Sequence, residues 1–109
     1  NTTVNPDNRP FPTARFVTAM VKGRPTPRRE MVLKGGDAQT GPLFTLFNGP
    51  RPAAYQPMRK QGAILLGVGG DNSNGGVGTF YEGVMTAGYA PDAVDAAVHA
   101  NIVALGYGT

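Results

Sequence analysis

Residues 63–87 constrain this chain more than any others. An apolar run, Ala63-Ile64-Leu65-Leu66, leads into Gly67-Val68-Gly69-Gly70-Asp71-Asn72-Ser73-Asn74-Gly75-Gly76-Val77-Gly78, and Thr79-Phe80-Tyr81-Glu82-Gly83-Val84-Met85-Thr86-Ala87 leads away. Glycine permits backbone conformations and close approaches that a side chain forbids. The flanking runs read as strands, the second by alternation of Phe80, Glu82 and Val84 against Tyr81, Gly83 and Met85. Asp71 therefore falls at the end of a buried strand, among small residues, where a ligand can reach it. The plainer alternative is a long hairpin loop whose Asp and Asn residues serve turn geometry alone.

Composition points toward β-structure. The chain has 109 residues, enough for one small domain, with 40% hydrophobic residues, 16 Gly and 10 Pro. So many turn formers favour an all-β protein over a helical bundle. Without cysteine there is no disulfide framework and no thiolate metal site. The net charge is +3 and the pI about 9.6. The densest basic patch, Lys22-Gly23-Arg24-Pro25-Thr26-Pro27-Arg28-Arg29, lacks interleaved aromatics and is stiffened by two prolines. It reads as a solvated loop rather than a nucleic-acid arm. No apolar run approaches the ~20 residues that cross a bilayer. Neither nucleic acid nor membrane is an expected partner. Asn1-Thr2-Thr3 fits the N-glycosylation pattern. Its place at the terminus predicts that Asn1 was once internal to a longer precursor.

In chain order, residues 1–12 read as an extended lead-in. Thr13 to Val21 alternates with both faces fairly apolar and reads as an interior strand. Gly23 to Pro27 is a turn. Arg29 to Lys34 is a second strand ended by Gly35-Gly36-Asp37, and Leu43 to Phe47 a third, closed by Asn48-Gly49-Pro50. Residues 49–62 read as a surface loop pinned by Tyr55 and Met58. Ala63 to Val68 is the expected central strand. Pro91-Asp92 then signals a helix start. Val94, Ala97, Val98, Asn101, Ile102 and Leu105 recur at helical spacing, so Ala90 to Leu105 reads as one amphipathic helix ended by Gly106. His99, the single histidine, reads as a structural or surface residue.

Four chemistries are open to residues of these types. Gly67-Val68-Gly69-Gly70 fails the dinucleotide pattern and runs toward a strand, so no helix N-terminus is available for phosphate. Asp71, Asn72, Ser73 and Asn74 offer oxygen ligands, but match a calcium loop only loosely and lack its closing Glu. No cysteine and no Gly-x-Ser-x-Gly supports a nucleophilic triad. Carboxylate acid–base work remains. Of the seven carboxylates, Asp7, Glu30, Asp37, Asp71, Glu82, Asp92 and Asp95, only Asp71 has the glycine-rich strand-end setting. Asp92 reads as a helix-start residue, Asp37 as a turn residue and Glu30 as a surface residue. Glu82 reads as partly buried and paired to a basic group. Glycoside hydrolysis requires two carboxyls about 5 to 10 Å apart, and spacing alone does not say whether Asp71 and Glu82 form such a pair.

The run from Gly62 through Asp71-Asn72-Ser73-Asn74-Gly75, then Gly78 to Thr86, then Ala100 to Ala104, resembles the α-L-arabinofuranosidase B family, glycoside hydrolase family 54. Arg15 to Ala19, Gly35 to Gln39 and Tyr55 to Lys60 are similar to it too. The resemblance implies a β-sandwich catalytic domain that removes terminal α-L-arabinofuranosyl groups from polysaccharides with retention. It implies Asp71 as general acid/base, with Gly70 contacting the sugar through its backbone and Asn72 beside it in the substrate site. No metal or other cofactor is implied. The family's nucleophilic glutamate and paired pocket cysteines lie upstream of the matching region.

The resulting expectation is that residues 1–109 form the C-terminal portion of a single β-sandwich catalytic domain. The fold expected is all-β, part of a jelly-roll or lectin-like sandwich with one C-terminal helix, completed by a second chain. That companion, from the same precursor, would carry the nucleophile, the substrate would be carbohydrate, and the enzyme would be secreted. The alternative is a non-catalytic carbohydrate-binding or structural subunit of the same fold.

Overall fold

The computed structural model describes residues 11–25, 30–51 and 78–109. They form three strands, β1 (Val17–Gly23), β2 (Glu30–Asp37) and β3 (Phe44–Pro50), followed by one helix, α1 (Asp92–Ala104). The strands make one antiparallel sheet in the order β1-β2-β3. The chain is therefore all-β with a C-terminal helix, as its composition predicts. The expected Ala63–Val68 strand lies outside the described residues, as do Tyr55 and Met58.

The β1–β2 register is unbroken from Val17↔Asp37 to Gly23↔Met31. Two further bonds prolong it, Ala38 N–H to Phe16 O (2.9 Å) and Arg24 N–H to Glu30 O (3.1 Å). Between β2 and β3 the register slips after Leu33↔Phe47 to Lys34↔Thr45, so Leu46 is the extra residue of a bulge.

Several boundaries differ from expectation. β1 begins at Val17, because Ala14 N–H bonds Phe11 O (3.2 Å) in a turn ahead of it. Among the described strands β1 lies at the sheet edge, and β2 has a neighbour on either side. Gly35 and Gly36 lie inside β2 rather than ending it. At Gly36 the reason is packing. An added Cβ would sit 3.1 Å from His99 Cε1 and 3.0 Å from Pro42 O, so the missing side chain is the space the imidazole occupies. β3 runs through Asn48 and Gly49 to Pro50. Residues 78–86 are exposed and make no strand pairing with the described residues, against the strand expected over Thr79–Ala87. Arg51, expected in a surface loop, is buried, and its Nη2 donates to Arg24 O (3.4 Å).

The helix buries a different stripe from the one its apolar periodicity marks. Asp95 and His99 are its buried residues, while Val94 and Leu105 are exposed. The buried stripe is turned by about one residue, roughly 100°, from the predicted one. It faces the side of the sheet that carries Thr18, Lys22, Lys34 and Gly36. Val17, Ala19 and Val21 of β1 point the other way and are exposed.

Gly36→Ala should therefore destabilise the protein by ~1–3 kcal/mol, because neither the Pro42 carbonyl nor the bonded His99 ring yields cheaply. Gly78→Ala, with nothing within 4 Å of the added Cβ, should stay within about 0.5 kcal/mol of wild type. Denaturant melts of the two variants check the contrast.

Candidate functional site

The residues assigned to the sugar site from sequence, Gly70, Asp71 and Asn72, lie outside the described residues. What the structure describes is the scaffold on either side, from Arg51 backward and from Gly78 onward. It also shows the setting of five of the seven carboxylates.

Two of them anchor the helix. The β1–β2 register sets Lys22 opposite Val32 and Met20 opposite Lys34, which places both lysines on one face as diagonal neighbours. Two ammonium groups so placed repel. Asp92 and Asp95, three residues apart, share one face of the first turn of α1 and meet them. Lys22 Nζ lies 2.8 Å from Asp92 Oδ1 and 2.7 Å from Asp95 Oδ2. Lys34 Nζ lies 2.8 Å from each of the same oxygens. Lys22 also donates to Ala90 O (2.7 Å), just ahead of the helix. The contacts to Asp95 Oδ2 are off the angle of a hydrogen bond, so charge rather than directional bonding holds that atom. Carboxylates in a first turn also sit favourably on the helix dipole.

The charges respond accordingly. The lysine hydrogen bonds hold the Asp92 carboxyl at about 2, against an ordinary 3.8. Burial pushes the Asp95 carboxyl up, but the two ammonium groups outweigh it and leave it below its ordinary value. Burial likewise pushes both lysines down, and the two aspartates more than offset it, so each stays charged to higher pH than usual. A carboxyl held this firmly ionised is the opposite of a proton donor. Asp92 thus marks the helix start as expected, but by ion pairing. Pro91 is the N-cap, and no side-chain capping bond forms.

The other described carboxylates are also engaged. Glu30, expected at the surface, is buried and accepts from Arg24 Nε (2.7 Å) and lies 2.6 Å from Nη2. Arg24 and Lys22 both lie over the Tyr89 ring, at 4.2 and 4.5 Å from its centre. The basic stretch from Lys22 to Arg24 is therefore structural, not a solvated loop; residues 26–29 lie outside the described residues. Asp37 Oδ1 accepts from the Gln39 amide (2.8 Å), the turn role expected of it. Glu82 is exposed and accepts from the Tyr107 hydroxyl rather than from a basic group. That bond holds the Tyr107 phenol above its ordinary value. The Tyr107 and Tyr81 rings close a three-ring cluster with Phe16, at centroid separations of 5.3 to 5.6 Å.

His99 is a structural residue, as expected, and almost wholly buried. Its Nε2 lies 3.1 Å from Gly41 O and its Nδ1 3.1 Å from Thr18 Oγ1. A carbonyl only accepts, which assigns the hydrogen to Nε2 and leaves Nδ1 to accept from the threonine hydroxyl. Among the described residues no group of three His, Asp or Glu side chains could hold a metal ion. The sequence reading missed Lys22 and Lys34 as partners of the helix. The available signal was the Asp92/Asp95 spacing beside two strand lysines that alternation puts on one face.

This all-β scaffold with its pinned helix has a catalytic-domain lineage. The chain matches the family α-L-arabinofuranosidase B, catalytic, over residues 1–108, and it belongs to that family. It is 57% identical over 95 residues to the arabinofuranosidase/B-xylosidase of Trichoderma koningii, covering 85% of this chain and 18% of that protein. Its identity to the probable α-L-arabinofuranosidase B of Aspergillus fumigatus is 52% over 110 residues, covering 96% of this chain and 21% of that one. With the α-L-arabinofuranosidase B of Aspergillus oryzae it shares 55% over 95 residues, 85% of this chain and 18% of that one. The chain thus spans about a fifth of the length of these curated relatives. No solved structure matches it significantly.

The ion network sets a pH window. Asp92 and Asp95 have folded pKa values below the unfolded one, so their contribution is complete above about pH 4 and lost as pH falls toward 2. The lysines, with folded values raised, contribute fully below about pH 10 and lose it above. Lys34→Met should cost ~1–3 kcal/mol at pH 7, since Lys22 still pairs with Asp95. It should also flatten the loss of stability between pH 4 and 2. Thermal melts of both proteins across pH 2–7 check the two effects together.

Proposed function

We propose that this chain is the part of a secreted, retaining glycoside hydrolase that supplies the general acid/base Asp71. The enzyme removes α-L-arabinofuranosyl, or related furanosyl, groups from polysaccharides. The observation that carries the reading is the match to the catalytic family over residues 1–108, a span that includes Asp71 and its flanking Gly-Gly and Asn-Ser. The names of the relatives, arabinofuranosidases in every case cited above, support the substrate class.

The chemistry follows from the roles. Asp71 holds a proton in the resting enzyme, gives it to the departing glycosidic oxygen, then takes one from water in the second step. An ordinary aspartate, at about 3.9, is too acidic for this. The proposed role therefore requires a site that raises it, as partial burial and the nearby charge of a nucleophile would. Gly70 lets the sugar approach the backbone, and Asn72 flanks it. The nucleophile comes from a companion polypeptide, a reading supported by the small share of each relative that the chain covers. The same companion would cover the exposed Val17, Ala19 and Val21 of β1 and complete the sandwich. The second reading, a non-catalytic carbohydrate-binding or structural subunit, has no use for a carboxylate at Asp71.

Asp71→Asn keeps the shape and removes the proton transfer. In the assembled enzyme it should lower turnover of natural arabinosides by ~10²–10⁴-fold. Substrates with activated leaving groups should lose less in their first step, because they need little protonation. Steady-state kinetics on both substrate types test this. Near-wild-type turnover of the natural substrates would overturn the assignment.

A further inference from the structure

We draw no further inference here: the strongest candidate, the ring cluster of Phe16, Tyr81 and Tyr107 with the Glu82 carboxylate between the start of β1 and the end of α1, carries nothing, because residues 52–77 lie outside the described residues and nothing in the structure shows what covers the rings.

Discussion

The four-charge network of Lys22, Lys34, Asp92 and Asp95 is the contact on which the described structure depends. It is the main charged link between α1 and the sheet, and it is nearly dry on the lysine side, with both side chains about nine-tenths buried. Desolvating two ammonium groups is costly, and only close, multiple pairing offsets it. The network meets that demand by alternation of charge, each lysine touching both aspartates. Its position then dictates the rest. With the first turn of α1 clamped over Lys22 and Lys34, the helix stripe carries His99 onto Gly36 two turns from Asp92, where Thr18 and Gly41 receive it. Tyr89, just ahead of the helix, lies against Lys22 of β1 and Arg24 just past its end.

A sheet–helix contact built this way is unusual in what it buries. Thr18, Glu30, Lys34, Arg51, Asp95 and His99 are buried, against Val32 and Ala38 as the buried apolar residues described. Such contacts fix geometry more than they stabilise, because each polar group exchanges water for a partner at little net gain. The apolar surface that would supply the larger driving force, Val17, Val21, Phe80, Val84 and Met85, faces outward. The described part is thus specified from within by polar contacts and left apolar outside. That is the distribution expected of a part whose hydrophobic core is shared with residues outside the described ones.

Where sequence reading succeeded, the signal was local. Alternation around Val17–Gly23 and Glu30–Lys34 marks strands without reference to anything distant. Asp37 next to Ala38-Gln39 marks its own turn, and Pro91-Asp92 the helix start. Where it failed, the cause was a partner remote in sequence. Gly35-Gly36 reads as a strand end until His99, more than sixty residues on, is placed over it. Apolar periodicity put the wrong face of α1 inward, since it has no way to count Asp92, Asp95 and His99 as a buried stripe matched to Lys22, Lys34 and Thr18. Residues 79–87 fail for the complementary reason. Their pattern describes a covered strand, and none of the described residues covers it.

The same network bears on the proposed chemistry. A general acid must keep its proton near the working pH, so it needs a site short of positive charge. Asp92, Asp95 and Glu30 are each met by a lysine or an arginine. Asp37 is spent on a turn, and Glu82 is exposed against a phenol. Asp92 and Asp95, held ionised by the two lysines, are not set to donate a proton. The cations that flank the described scaffold, Lys22, Lys34 and Arg24, are committed to aspartates, a glutamate and the Tyr89 ring, and so are withheld from other carboxylates. Asp71 has no basic residue within ten positions on either side in sequence, Lys60 being the nearest. A chain that neutralises its structural carboxylates internally, and keeps lysine and arginine away from this one in sequence, carries the charge pattern that the proposed role of Asp71 requires.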